Sequence, residues 1–367
     1  MEEDKEELSL IDRLKLVSRV TEHINKQRGE YTAVIPSEAP QDLFALNSFS
    51  TGIISLDMAT MVGGIPRGTI AELYGPPSGC KSLVAYKTIA QAQARGGIVI
   101  LADAERSYTP EWGAAQGINN DQLILLRSRT AQEYADDVCA YLRSAPIDLV
   151  VFDSVSALLP KKIDENSADT NITGALALAM SILLNKISVD MYNNKMLPTS
   201  VIFINQIRDQ MGGMQKGSFG AVQYKTTGGR SLAHYAKLRI EFRPGEPIKK
   251  GNKQIGYCVN GLIKKSKVSP GRNNKFQFRF LNGTGIDLTD ELIETAKLYG
   301  VLTMKGGGMF YLPEETKPIA RGRDALYELL NTNTELRSKV DSLVRKQTEE
   351  IVVEEVKKED DKQEDDY

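Results

Sequence analysis

Four short apolar runs, Thr69–Tyr74, Ile98–Ala102, Leu149–Phe152 and Val201–Ile204, each stop at a glycine or a polar residue: Gly75, Asp103, Asp153 and Asn205. Runs this short and this continuous, separated by stretches of helical spacing, suit strands buried on both faces of a parallel sheet. In open α/β sheets ligands bind outside the carboxyl ends of the strands, so four candidate site edges line up. The 367 residues, 41% hydrophobic and 26% charged, exclude a wholly disordered chain and suffice for two to three domains.

The flanks read differently. Leu10, Leu14, Val17, Val20 and Ile24 fall at helical spacing among charged residues, which predicts an amphipathic helix from about Leu8 to Gln27, with Tyr31–Ile35 extended after Gly29. Helical segments near Glu291–Tyr299 and Asp324–Leu330 flank Gly306–Tyr311 and suggest a small α+β module. From Glu349 to Tyr367, ten acidic residues stand against three lysines, a net of −7 that leaves the body at +5 within an overall −2. Such a stretch cannot offset its ordering entropy by apolar burial and is expected to be disordered, either as a solubilising tail or as a competitor of a polyanion for the basic body. The expected boundaries are 1–36 for the N-terminal helix and arm, 37–285 for the core, 286–348 for the C-terminal module and 349–367 for the tail.

Three dispersed cysteines, Cys80, Cys139 and Cys258, argue against a disulfide framework or a cysteine zinc site and for a reducing compartment. With only His23 and His234, a histidine metal site or a catalytic triad has no basis. No signal peptide and no run of membrane-spanning length is expected, which points to the cytoplasm.

Gly75-Pro76-Pro77-Ser78-Gly79-Cys80-Lys81-Ser82, between a predicted strand and the helix-like Leu83–Gln93, resembles the phosphate-binding loop G-x-x-x-x-G-K-[S/T]. Its backbone amides would cradle phosphates, Lys81 would neutralise the β/γ oxygens and the Ser82 hydroxyl would ligate Mg²⁺. Cys80 replaces the glycine expected before the lysine, where a Cβ crowds the phosphates or strains the backbone. Read alone, the segment also suits a glycine-rich structural turn. Asp153 suits either a Walker B aspartate, holding the metal through water, or a cap on the next turn. Glu105 suits either a group that polarises the attacking water or an ordinary exposed glutamate.

Ala71–Pro77, Ala102–Glu105, Val150–Pro160, Phe203–Arg208 and Thr226–Gly229 occur in the order and approximate spacing of bacterial RecA recombinases, and this resemblance runs from about Thr51 to Gln347. It implies a RecA-like P-loop ATPase core with a mostly parallel central sheet, an N-terminal polymerisation arm, a small C-terminal domain and an acidic tail. It implies a DNA-dependent ATPase that uses ATP and Mg²⁺, forms a helical filament on single-stranded DNA with ATP at the subunit interface, and pairs that strand with homologous duplex DNA. Recombination, DNA repair, the SOS response and partners such as single-strand-binding protein or loading factors come with it.

Residue by residue, the resemblance makes Glu105 the catalytic glutamate, Asp153 the Walker B aspartate and Gln206 the γ-phosphate sensor, whose amide both donates and accepts. Trp112, otherwise a core or half-buried tryptophan, would stack on adenine, with Thr109 where the family usually has Asp. Lys265 and Lys267 would reach the neighbouring subunit's ATP. Asp209–Lys225 would be the second DNA loop, with Met211 as a wedge and Arg208, Gly212, Met214, Lys216, Gly228, Gly229 and Arg230 around the backbone phosphates. Lys161–Gly174 would be the first loop, with Thr173 and Gly174 near its wedge. His234 falls where the family places an aromatic interface residue.

Leu178 and Asn185 stand where the family has DNA-binding arginines. With Cys80, they mark a divergent member, such as one carried by a phage, or lost turnover. The alternative function is therefore a nucleotide-liganded DNA filament scaffold or recombination mediator with little or no hydrolysis. Other ATPases on this core would show a four-cysteine zinc element, two tandem cores or a larger helical N-terminal domain; one phosphate loop and dispersed cysteines fit the bacterial arrangement.

Overall fold

A computed structural model describes residues 9–29, 32–40, 47–164, 172–193, 198–208, 225–313 and 315–347. The chain divides into two compact units, Met1–Leu46 and Asn47–Tyr367. In the first, the helix Leu10–Arg28 is capped by Ser9, whose hydroxyl accepts the Asp12 amide, and ends with Lys26 and Arg28 in its last turn, favourable to the helix dipole. Its apolar stripe, including Leu10, Leu14 and Val17, is exposed. The described residues 32–35 form no strand, contrary to the extended piece expected for Tyr31–Ile35. The reason is local: the Asn25 amide both donates to and accepts from the Ala33 backbone at 2.8 Å, taking the groups a strand partner would use.

The second unit is built on one sheet whose strands are β1 (Ile70–Gly75), β2 (Val99–Asp103), β3 (Leu123–Leu126), β4 (Leu149–Asp153), β5 (Ser200–Arg208), β6 (Leu238–Lys250), β7 (Lys253–Ser266), β8 (Lys275–Leu281) and β9 (Gly285–Ile286). Their spatial order is β9-β8-β7-β6-β1-β5-β4-β2-β3, parallel from β6 to β3 and antiparallel from β6 to β9. The four expected runs are the central strands β1, β2, β4 and β5. Apolar clusters fill both faces, one gathering the helix Lys81–Ala94 and the other the helices Ala131–Ser144 and Ile172–Asn193. Thr130 and Glu133 form a capping box that fixes the start of Ala131–Ser144.

Ile172–Asn193 corrects one expectation. Its window Gly174–Met191 has a mean hydropathy of 1.4 over 18 residues, long and apolar enough to span a membrane by that measure. Here it is a layer of the core: Met180, Leu183, Leu184 and Ile187 are buried against the sheet, while Lys186 and Asp190 pair with Asp136 and Arg143. The C-terminal helices Leu288–Leu298 and Arg323–Thr332, with the small sheet Thr303–Lys305, Met309–Tyr311 and Ala320–Arg321, enclose their own apolar cluster, which also takes in Ile54 and Met58. Residues 349–367, expected to be a disordered tail, lie outside the described residues.

Candidate nucleotide site and nucleic-acid interface

Register alone brings the candidate residues to one edge. Gly75 at the end of β1 pairs with Gln206 on β5, and Asp103 on β2 pairs with Asp153 on β4. Between β1 and the helix Lys81–Ala94 runs the predicted phosphate loop. A Cβ at Gly75, where φ is 155°, would stand 2.0 Å from the Phe242 carbonyl oxygen, and one at Gly79 3.3 Å from the same atom. The loop therefore needs Gly75 for close approach to β6. Ser78 and Cys80 take positive φ values of 62° and 60° without being glycines, so Cys80 does impose the left-handed strain its Cβ implied.

The loop opens onto a cleft of about 470 Å³. Pro77, Ser78, Gly79, Cys80, Lys81 and Ser82 form one side, and Glu105, Trp112, Asp153 and Gln206 face it. Pro76 holds the lysine in this structure, its carbonyl accepting from Lys81 Nζ at 2.7 Å. Burial lowers the lysine's pKa, opposed by the charges of Asp153 and Glu105.

Asp153 is nearly inaccessible, and neither carboxylate oxygen meets a partner in hydrogen-bond geometry. Burial raises its pKa from 3.8 to about 7, while the neighbouring Ser82 hydroxyl pulls it down and Glu105 and Asp103 push it further up. The direction agrees with the unpartnered oxygens: the charge of Lys81 pulls the pKa down, but burial outweighs it. A buried carboxylate with spare lone pairs, next to a hydroxyl and at the mouth of a phosphate loop, fits a hydrated Mg²⁺.

Glu105 is held beside it. Ser154 Oγ donates to Glu105 Oε1, and the Glu105 amide donates to the Asp153 carbonyl at 3.1 Å. Ser154 is missing from the sequence reading, although its place directly after the strand-end aspartate is a usable signal. Thr109 caps the helix Pro110–Ala115 by accepting the Trp112 amide, which explains a threonine there and orients the tryptophan. Tyr257 and Phe280 also wall the cleft, from β7 and β8; no local pattern marks them.

Below Gln206, a buried network anchors the strand. Asn205 donates to Glu72 Oε1 at 2.9 Å and to the Thr227 carbonyl at 3.0 Å, and Arg239 donates to Glu72 Oε2 at 2.5 Å. The Thr227 amide donates to the Gln206 carbonyl at 3.2 Å, which ties Gln206 to the Thr226–Gly229 turn. A glutamate inside an otherwise apolar run was the visible sign that β1 needed a buried cation.

Gly228 and Gly229 both have φ of 83°, and a Cβ on them would approach Val155 Cγ1 and Ala177 Cβ, each at 2.9 Å. Packing on the Ile172–Asn193 helix therefore demands them. Arg230 is exposed at the start of the helix Ser231–Tyr235. Arg208 ends β5, Thr173 lies in the first turn of Ile172–Asn193, and Gly174 follows, exposed. Met211, Gly212, Met214 and Lys216 lie outside the described residues, as do residues 165–171 of the expected first DNA loop. Leu178 is 62% exposed and Asn185 is exposed on the same helix, so both are available for contact.

Lys265 and Lys267 do not line the cleft within the chain. Lys265 donates to the carbonyls of Ala233 and His234, at 2.7 and 3.3 Å, and Lys267 is exposed.

The family described as the RecA N-terminal domain matches residues 15–287. The protein named RecA of Clostridioides difficile (strain 630) is 34% identical over 335 residues, 91% of this chain and 92% of that one. RecA of Chloroflexus aurantiacus (strain ATCC 29364 / DSM 637 / Y-400-fl) is 34% identical over 91% of both chains, and that of Bacteroides thetaiotaomicron is 33% identical over 91% of this chain and 97% of its own. With a glycine-rich loop, a buried strand-end aspartate, a tethered glutamate and a strand glutamine brought to one cleft, a family match over residues 15–287 and relatives matched along nearly their full length, the chain belongs to the RecA family.

Proposed function

We propose that the protein is an ATP-dependent recombinase, active in recombination and DNA repair in the cytoplasm, which assembles as a helical filament on single-stranded DNA and pairs it with homologous duplex. The observation that carries this is the convergence of Lys81, Ser82, Glu105, Asp153 and Gln206 on one cleft. ATP would lie with its phosphates against the loop amides and its base toward Trp112. Lys81 leaves the Pro76 carbonyl for the phosphates. Ser82 directly and Asp153 through water would hold Mg²⁺, which would supply charge neutralisation on the phosphates.

Glu105, oriented by Ser154, accepts a proton from the attacking water. Gln206 senses the γ-phosphate with its amide and passes the change through Thr227 to the Gly228–Gly229 turn and the following DNA-contacting residues, Arg208 and Arg230 among them. Lys265 and Lys267 complete the site of a neighbouring subunit, which couples hydrolysis to assembly. Single-strand-binding protein or loading factors are further partners of this reading. A non-hydrolysing scaffold has no use for a serine that holds the catalytic glutamate in place.

The test is steady-state ATP hydrolysis with Mg²⁺, with and without single-stranded DNA, for the wild type, Lys81→Ala and Glu105→Gln. DNA-stimulated turnover that both variants lose supports the recombinase. Nucleotide-dependent DNA binding without turnover in the wild type would replace it with the scaffold.

A further inference from the structure

Ser78 and Cys80 both hold left-handed backbone conformations that a Cβ disfavours, with one residue between them. A single side chain from 177 residues further along the chain ties down both. The Tyr257 hydroxyl donates to the Ser78 carbonyl at 2.8 Å and lies 3.4 Å from Cys80 Sγ. Its one proton goes to Ser78, so the thiol donates to the tyrosine oxygen, giving a relay from Cys80 through Tyr257 to the loop backbone. The tyrosine ring is itself fixed, tilted on Phe280 with centroids 5.0 Å apart, and both rings wall the cleft.

We propose that Tyr257 is a positioning residue for the nucleotide, acting as one unit with Cys80 to hold the phosphate loop in the shape that a glycine at position 80 would adopt unaided. The inference rests on reading this cleft as the ATP site. Loop amides can cradle phosphates only in that shape, so the tether acts on nucleotide affinity. The bonds of Tyr257 go to the loop rather than to Glu105 or Asp153, which leaves kcat at saturation to those groups. The Ser78 carbonyl is exposed and water can replace its bond, so the tether matters where Cys80 must be restrained.

The experiment is a double-mutant cycle in a Cys258→Ser background, which leaves Cys80 and the buried Cys139 as the only thiols. Binding of a fluorescent ATP analogue is measured for the parent, Tyr257→Phe, Cys80→Gly and the double variant. Maleimide labelling of Cys80 is timed where the cysteine is present. Tyr257→Phe should weaken binding about five- to tenfold and speed labelling by a similar factor, the effect of one lost hydrogen bond. With glycine at position 80, the same change should alter affinity less than twofold. Equal losses in both backgrounds, or unchanged labelling, would overturn the coupling. Lys81→Ala serves as the separate control: if it binds the analogue as well as the parent, the ATP-site reading fails, and the labelling rates alone then decide whether Tyr257 restrains the loop.

Discussion

Glu291→Gln should make the protein's stability less sensitive to pH, by an amount the structure sets. Glu291, on the helix Leu288–Leu298, is buried and accepts the amide of Ser55 at 2.5 Å, capping the helix Ile54–Thr60 from a distance in sequence. Burial raises its pKa from 4.5 to about 7, the Ser55 bonds oppose this, and the charge of Asp57 adds to it. Below pH 4.5 the carboxyl is protonated in both folded and unfolded chains, and the native state keeps its full benefit. Between 4.5 and about 7 the unfolded chain releases the proton while the native state retains it, so stability falls as pH rises. Above about 7 the loss is complete. At about 1.4 kcal/mol for each tenfold in proton affinity, the gap caps this loss at about 3 kcal/mol. Glutamine keeps an acceptor for Ser55 and does not titrate. Urea unfolding at pH 5 and pH 8, followed by circular dichroism and by the fluorescence of the single tryptophan, Trp112, should show the variant gaining on the wild type by about 2–2.5 kcal/mol between the two pH values, since part of the loss already falls below pH 5. Parallel pH dependence in the two proteins would refute the assignment.

Gly228→Ala, with φ of 83° and its Cβ forced to 2.9 Å from Val155 Cγ1, should destabilise the protein by about 1–3 kcal/mol; an unchanged melting temperature would show that the turn relaxes freely. Replacing exposed Leu178 and Asn185 together by arginine should tighten single-stranded DNA binding and steepen its salt dependence by about one to two counterions, with a flat salt response counting against a DNA-facing helix surface. Deleting Glu349–Tyr367 removes a net charge of −7 and should strengthen duplex binding at low salt; equal binding would reduce the segment to a solubilising role.

The central strands and the phosphate loop were legible locally because each depends on short-range information: an apolar run reports burial on both faces, and a glycine-rich turn before a helix reports its backbone. β3 and the antiparallel wing β6 to β9 were not singled out, since β3 is only half buried and the wing alternates polar with apolar residues over long strands. The extended arm failed at Asn25, whose side chain captures the backbone of Ala33, and a helix apolar enough to mimic a membrane span proved to be a core layer once its polar residues found Asp136 and Arg143.

By itself, then, the sequence determined which residue types line the site and in what order: Lys81, Glu105, Asp153 and Gln206 each close or follow one of the four apolar runs whatever the sheet's order. Tertiary structure alone decided that β1 pairs with β5 and β2 with β4, which sets those ends side by side, and that Glu72 meets Arg239 and Asn205. It also decided that Tyr257 reaches the strained loop at Cys80. The physical reason is range: backbone preference and burial are written within a few residues, whereas a hydrogen bond across 177 positions exists only once the sheet has brought β7 to the mouth of β1.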